Sequence, residues 1–174
     1  MTTYQVVDQI ETSLRQQRFN SIVDENHNRI GRIARVYAGS EAEDLVQEIL
    51  MQVWRALPNY DQGAKLSTWC YRIALNTAIT WRRRATRAKR QPPKNRVAAE
   101  TLPSQTSYSN EARLLEQFLT SLSEIDRAVL LMYLDDLTHD EIAESIGISN
   151  GAIRTRISRI RDRLENWEAN DGEA

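Results

Sequence analysis

Residues 138–167, which read THDEIAESIGISNGAIRTRISRIRDRLENW, restrict the possible folds more than any other part of the chain. Thr138 and Glu141 have the spacing of a capping box, which predicts the start of a helix. Gly147 stands where that helix needs a left-handed terminator, and Ser149 is placed to cap a second helix. Two helices joined by so short a turn are typical of a helix-turn-helix unit.

The second helix is predicted to have two chemically different faces. Apolar residues recur on one side at helical spacing, namely Ile153, Ile157, Ile160 and Leu164. The opposite side carries arginines and small hydroxyls, namely Arg154, Thr155, Ser158 and Arg159. Arginine bonds guanine edges or phosphates in a major groove, and Ser and Thr adapt to either. The pattern predicts a DNA-binding helix, and the alternative is a solvated basic helix that touches no DNA.

Composition favours a soluble protein of one domain or two small ones. The chain has 174 residues, of which 41% are hydrophobic and 27% charged, too apolar for wholesale disorder. No apolar run approaches the roughly 18 residues of a membrane helix, and the polar N-terminus does not resemble a signal peptide. We therefore expect a cytoplasmic protein without membrane insertion. The single Cys70 excludes an internal disulfide, and two distant histidines argue against zinc, so neither metal nor cofactor is expected.

Charge is strongly segregated although the net charge is only −1. Residues 62–99 contain no Asp or Glu, and they hold Lys65, Arg72, Arg82, Arg83, Arg84, Arg87, Lys89, Arg90, Lys94 and Arg96. Phosphate contacts depend on the local field and not on the overall charge, so this segment is a candidate nucleic-acid surface. A solvated face or a flexible arm is the alternative.

Helical periodicity extends over nearly the whole chain, which predicts an all-α protein of two small lobes. The first lobe spans about residues 15–90. An early helix ends near Gly39. A second capping box, made of Ser40 and Glu43, then begins a helix that Pro58 ends. A long helix follows. The apolar positions of the capped helix are Ala42, Leu45, Ile49, Val53 and Leu57. The long helix is predicted to run from about Thr68 to Arg84 or beyond.

Residues 91–110 are rich in Pro, Ser and Thr and are predicted to be a flexible linker. The second lobe spans residues 111–167. It begins with one apolar-faced helix, continues with a helix capped by Ser123 and Asp126, and ends with the helix-turn-helix.

The stretch LSTWCYRIALNTAITWRRR combines aromatic rings, amides, hydroxyls and a terminal run of arginines. Aromatic faces accept stacked bases, arginines hold a backbone, and amides read the edge of a base that has left the stack. This set of residues suits single-stranded nucleic acid better than an intact duplex. In the alternative interpretation, Trp69 and Trp81 belong to a core and the arginines are solvated.

The helix at 42–57 has a second, polar face, made of Asp44, Gln47, Glu48, Met51 and Arg55. Such a face is usually the wet side of an amphipathic helix. A stripe of mixed charge with a central methionine is also able to dock a partner helix, and the residues alone leave both interpretations open.

Three segments in this order closely resemble bacterial sigma factors of the extracytoplasmic-function group. They are AEDLVQEILMQVWRAL, STWCYRIALNTAITWRRR and LTHDEIAESIGISNGAIRTRISRIRDRL, and the resemblance covers about residues 19–166. It implies that the first lobe is sigma region 2, the second is region 4, and no domain separates them.

The resemblance also implies functional residues and partners. The helix at 42–57 would bind the β′ clamp helices of core RNA polymerase through Asp44, Gln47, Glu48 and Met51. The −10 promoter element would be melted and captured by Lys65, Ser67, Thr68, Trp69, Tyr71, Arg72, Asn76, Arg83 and Arg84. The −35 element would be read by Arg154, Thr155, Ser158 and Arg159, with Arg156 near the DNA backbone. Region 4 would also contact the β-subunit flap, and an anti-sigma factor is an expected partner.

Cys70 departs from the family pattern, which commonly has a larger apolar residue there, and we interpret it as a small buried side chain and not a redox sensor. Other functions explain less of the chain. A dimeric helix-turn-helix repressor or activator leaves the STWCYRIALNTAITWRRR segment unexplained, and a sigma mimic that sequesters a regulator would not need its DNA-facing arginines. An enzyme would need a catalytic constellation or a phosphate-binding loop, and none is recognisable in the sequence.

Overall fold

A computed structural model describes residues 3–61, 63–90 and 110–171. Contacts between backbone positions divide the chain into two compact units, unit 1 (Met1–Arg87) and unit 2 (Ala88–Ala174). Every regular element among the described residues is helical, as the periodicity predicted. The predicted linker, residues 91–110, lies outside the described residues except for Asn110. Within the described ranges, no helix is both long and apolar enough to span a membrane.

Unit 1 contains α1 (Thr3–Ala38), α2 (Ala42–Ala56) and all but the last three residues of α3 (Leu66–Arg90). The early helix ends as predicted but begins much sooner, at Thr3. All three helices contribute apolar side chains to the core, among them Ile22, Ile33, Leu45, Ile49, Val53, Cys70 and Ala78. Removing these side chains from water is the main term that stabilises the unit.

The capping box predicted at Ser40 and Glu43 is wrong. Gly39, with a left-handed φ of 57°, ends α1, and Gly39–Glu41 forms a 3₁₀ turn. The backbone N–H of Ala42 then donates to the carbonyl of Gly39, and no side chain caps α2. An N-cap residue needs extended backbone, and Ser40 lies inside the turn, so its hydroxyl is not placed for that role.

Unit 2 contains α4 (Asn110–Ser121), α5 (Glu124–Leu134), α6 (His139–Ile146) and α7 (Asn150–Asp171). The predicted cap of α5 is confirmed, because the hydroxyl of Ser123 accepts from the Asp126 N–H at 3.2 Å. Phe118, Leu131, Met132, Ile142 and Ile153 are among the fully buried side chains of this unit. Both α5 and α6 pack against α7, which fixes how α7 is presented.

Candidate nucleic-acid interface

Hydrogen bonds fix where the first helix of the helix-turn-helix, α6, begins and ends. The N–H of Thr138 donates to Glu141 Oε2 at 2.9 Å, and the N–H of Glu141 donates to Thr138 Oγ1 at 3.3 Å. Gly147 has a left-handed φ of 78°, and its N–H donates to the Ala143 carbonyl at 2.8 Å. The predicted capping box and glycine terminator are both confirmed: the box begins α6, and the glycine ends it where the turn requires.

The first turn of α7 is bonded within itself and to α6. Ser149 Oγ accepts from the N–H of Ala152 at 3.3 Å, which confirms the predicted cap. Asn150 Nδ2 donates to Asp140 Oδ1 in the first turn of α6 at 2.5 Å. Because the starting turns of α6 and α7 are linked through side chains, the N-terminal end of α7 has a defined direction.

The two predicted faces of α7 are observed, although Ile157 and Leu164 of the apolar face are only half-buried. Ile153 and Ile160 are buried, with 0% and 5% of their surface exposed. The opposite side, called here the α7 stripe, consists of exposed Arg154, Thr155, Ser158 and Arg159. Thr155 Oγ1 donates to the carbonyl of Gly151 at 3.0 Å, so one hydroxyl of the stripe is tied to its own helix. The arginines point their charge away from the core.

Arg156 lies between these two faces and is half-buried. Its Nη1 lies 2.5 Å from Oδ1 of Asp126 in α5, and the other oxygen of that carboxylate accepts from the Ser123 hydroxyl at 2.7 Å. The guanidinium therefore has a protein partner that ties α7 to the first turn of α5. The resemblance implied a place near the DNA backbone for Arg156, and the structure adds this orienting contact.

Basic residues of α3 share one face with an amide. Lys65, just before the helix, and Arg72, Asn76 and Arg83 follow one another at intervals of seven, four and seven residues. Three of them are exposed and Arg72 is half-buried; we call these four residues the α3 stripe. Arg84 is exposed on an adjacent face, and Ser67 is half-buried near the start of the helix.

Three of the residues expected at the −10 site lie in the core of unit 1. The exposed fractions of Thr68, Trp69 and Tyr71 are 7%, 8% and 2%. The rings of Trp69 and Tyr60 have centroids 5.1 Å apart, and Tyr60 Oη donates to the Ala64 carbonyl at 2.6 Å. Their side chains hold the loop before α3 against the helix, and direct contact with a base requires that they first become exposed. Trp81 is half-buried.

Cys70 is completely buried beside these residues, as its interpretation as a small core side chain predicted. Burial raises the pKa of the thiol from 9.0 to about 12, and the charge of Arg29 acts in the opposite direction. A thiol held protonated at neutral pH is a poor nucleophile and a poor redox sensor.

The outer face of α2 presents the predicted docking residues. Asp44, Gln47 and Met51 are exposed, and Glu48 is half-buried and accepts from Gln52 Nε2 at 2.7 Å. Met51 has 46% of its surface exposed although it is large and apolar. A flexible thioether on a face of mixed charge, between Glu48 and Arg55, suits an interaction surface for another protein.

One buried charge was missed by the sequence analysis. Arg127 of α5 is 1% exposed, and its Nε donates to the Leu119 carbonyl at 2.7 Å. Its Nη2 donates to the carbonyls of Thr120 and Leu122 at 2.9 and 3.1 Å. The guanidinium caps the C-terminal end of α4 and positions α5 beside it. An arginine directly before the apolar run AVLL was the available signal.

Comparison with known proteins shows that two segments of the chain, one mostly in each unit, match two regions of one protein family. Residues 22–88 match Sigma-70 region 2, and residues 112–164 match Sigma-70 region 4. The ECF RNA polymerase sigma-E factor of Escherichia coli K12 is 30% identical over 168 residues, which cover 87% of this chain and 86% of that relative. The similar sigma-E factor of Haemophilus influenzae is 28% identical over 165 residues, covering 85% and 86%.

Two solved structures have the same fold. The sigma factor RpoE from Bartonella quintana, in complex with the anti-sigma factor NepR, has a TM-score of 0.68 and 22% identity and covers 88% of this chain and 96% of its own. CnrH, in complex with the cytosolic domain of CnrY, has a TM-score of 0.67 and 24% identity and covers 90% of each chain. From the two matched regions and the Escherichia coli relative, this chain belongs to the ECF sigma factors of the Sigma-70 family, whose members act in transcription initiation.

Proposed function

We propose that this chain directs core RNA polymerase to promoters by binding one DNA element with each of its two units. The α7 stripe reads the −35 element as duplex, and the α3 stripe binds the −10 element and holds a strand that has opened. The chain is not an enzyme: no bond in DNA is made or broken by it. The free energy for opening, on the order of a few kcal/mol per unstacked step, comes from binding.

The exposed α7 stripe is the observation that carries this proposal. A B-DNA major groove, about 12 Å wide, accepts a single helix, and an arginine bonds both acceptors of guanine. Arg154 and Arg159 supply the guanidinium groups, and Ser158 adds a small hydroxyl between them. Since α6 and α5 hold α7 through Asn150 and Arg156, the helix meets the groove already oriented.

The α3 stripe supports binding of the −10 element. Its cations suit the phosphates of a strand, and the exposed Asn76 amide is placed among them to hydrogen-bond a base that has left the stack. Arg84 extends the same charge, and Ser67 lies near the start of the stripe. In this proposal Thr68, Trp69 and Tyr71 support the stripe from the core.

The outer face of α2 is proposed to dock on the β′ clamp helices, through Asp44, Gln47, Glu48 and Met51. Asp44→Lys is expected to weaken binding to core polymerase at least tenfold, because it reverses a charge in the docking face. Asp24→Lys is the matched control, since Asp24 is also exposed but lies on α1. Equal affinities of the two variants, measured with a fluorescently labelled chain, would place the docking surface elsewhere.

Further partners follow from relatives. Bartonella quintana RpoE was solved with the anti-sigma factor NepR, and CnrH with the cytosolic domain of CnrY. We propose that this chain is likewise held by an anti-sigma factor until released, and that it acts in the cytoplasm together with polymerase. In the same proposal, unit 2 also contacts the β flap. Co-purification from the native cells followed by mass spectrometry tests the anti-sigma partner.

Reconstitution tests the central proposal. The purified chain is added to core polymerase, and transcription is measured on a library of DNA fragments with randomised −35 and −10 elements. Core polymerase alone is the control. We expect initiation that requires the chain and enriches one sequence at each element. Absence of promoter-dependent initiation on every template would contradict the sigma function. Tight binding of the free chain, as a dimer, to a palindromic duplex would instead support a conventional repressor or activator.

A further inference from the structure

Most glycines in the described part of the chain have a structural explanation. Gly39 and Gly147 have φ angles of 57° and 78°, which a residue with a side chain rarely adopts. A Cβ on Gly63 would lie 3.2 Å from Asp61 Oδ1. Gly31 lies inside α1, where a Cβ would make an ordinary contact with the end of the Arg35 side chain at 3.5 Å.

Gly151, like Gly31, lacks an explanation of the kind that Gly39, Gly63 and Gly147 have. It is the second residue of α7, its φ is not left-handed, and a Cβ built on it has no atom of the described residues within 4 Å. Glycine in a helix lowers stability relative to alanine, because it loses more conformational freedom on folding. Neither backbone geometry nor packing within the described residues therefore accounts for a missing side chain at this position.

The position of Gly151 on α7 suggests a reason for the missing side chain. Arg154, Thr155 and Ser158 follow it by three, four and seven residues, so Gly151 lies on the same face as the α7 stripe and at its N-terminal end. Recognition helices contact base edges chiefly with their N-terminal residues. The Gly151 carbonyl already accepts from Thr155 Oγ1, a bond that a methyl group on the Cα would leave intact.

We propose that Gly151 is a specificity-determining residue of this protein, because its missing side chain lets the first turn of α7 contact the base edges of the −35 duplex closely. The proposal rests on the proposed reading of the −35 element by α7. A Cβ at position 151 would occupy the space of a base edge and hold the helix away. Arg154 and Ser158 would then be displaced from their partners as well.

Two effects of opposite sign distinguish this role from a structural one. Gly151→Ala is expected to raise the midpoint of thermal unfolding, since alanine is the better helix residue. The same variant, bound to core polymerase, is expected to lose at least tenfold in affinity for a promoter selected as above. Gly151→Met, a larger residue that also favours helix, is expected to lose more.

Gly31→Ala is the matched control, because it replaces a helix glycine on α1 and should raise the unfolding midpoint without changing promoter affinity. A template with a scrambled −35 element isolates the −35 contribution, and on it the Gly151→Ala and wild-type proteins should bind alike. Selection repeated with the Gly151→Ala holoenzyme should shift the preferred bases of the −35 element.

Three results would overturn the proposal. Unchanged −35-dependent affinity of Gly151→Ala would show that the groove has room for a Cβ. A lowered unfolding midpoint alongside the lost affinity would assign Gly151 a structural role. If the wild-type holoenzyme does not distinguish intact from scrambled −35 templates, the proposed function of α7 fails and this inference fails with it.

Discussion

The two helices proposed to bind DNA distribute their polar and apolar residues differently. In α7 the apolar side is buried and the polar side is exposed, so the predicted DNA contacts and the core use separate residues. In α3 the predicted DNA contacts are divided, because Trp69 and Tyr71 lie in the core whereas Asn76 and Arg83 are exposed. Substitutions of the exposed α7 stripe should therefore affect binding alone, and those in α3 should affect either binding or stability according to burial.

The largest expected effect tests the buried side of α3. Trp69→Ala should lower the free energy of unfolding of unit 1 by about 3–5 kcal/mol, because it removes a buried ring and the contact with Tyr60. Asn76→Ala should change it by less than about 0.5 kcal/mol, since its side chain is exposed. Urea unfolding of the full chain, followed by far-UV circular dichroism, measures both.

The functional outcome for Asn76→Ala completes this test. We expect normal binding to the −35 duplex and impaired formation of the open complex, measured by permanganate reactivity of unpaired thymines. If Asn76→Ala destabilises the fold as much as Trp69→Ala does, the proposed division of α3 is wrong.

The next effect tests α7. Arg154→Ala should weaken −35-dependent promoter binding by about 1–3 kcal/mol, the usual value of a good bidentate base contact. The free energy of unfolding should stay unchanged, because Arg154 is exposed. Holoenzyme binding to intact and scrambled −35 templates measures the first quantity. Equal losses on both templates would indicate a contact to phosphate and not to a base.

A smaller effect uses the thiol in the core of unit 1. Burial raises the pKa of Cys70 to about 12 in the folded protein, from its ordinary value of 9.0. The unfolded chain thus loses the proton first, so stability is complete below about pH 9 and falls as pH rises from there. At pH 10 the loss is on the order of 1 kcal/mol relative to neutral pH.

Comparison with Cys70→Ala isolates this alkaline loss, because other groups titrate equally in both proteins. The difference in free energy of unfolding between the two should change between pH 8 and pH 10 by the amount given. A constant difference would mean that the thiol is accessible to water, and rapid reaction of the native protein with a thiol reagent would indicate the same.

The smallest effect compares two segments of like sequence pattern. Thr138→Ala should lower the free energy of unfolding of unit 2 by about 1 kcal/mol, because it removes an observed capping bond. Ser40→Ala should have almost no effect, since no side chain caps α2. Denaturation of both variants measures the contrast, and a comparable loss for Ser40→Ala would restore the predicted second capping box.

These two segments also show what local sequence is able to predict. Both contain a hydroxyl residue followed three positions later by Glu. The left-handed Gly39 and the 3₁₀ turn that begins with it leave Ser40 in a backbone conformation unsuited to an N-cap. The outcome depends on how α1 and α2 pack, which the four-residue pattern does not contain. The start of α1 was missed although Val7, Ile10 and Leu14 recur there at helical spacing. In the structure Ile10 and Leu14 are exposed, so this apolar pattern does not mark a buried face.

For the candidate site, prediction was best where one helix decides the matter. The exposed stripe and buried isoleucines of α7 follow from spacing alone. For α3, the aromatic content suggested bases to stack, but burial of Trp69 is decided by Tyr60 and the loop before the helix. Arg127 could not be placed either, because its partners are carbonyls at the end of another helix.

The ion pair between Arg156 and Asp126 has a consequence for the proposed binding of DNA by α7. Contacts from exposed arginines to phosphates weaken steeply as salt displaces them. A partly buried pair is screened much less, so the same rise in ionic strength leaves α7 in place. In the proposed complex, release of α7 from DNA by salt would therefore require no rearrangement of unit 2.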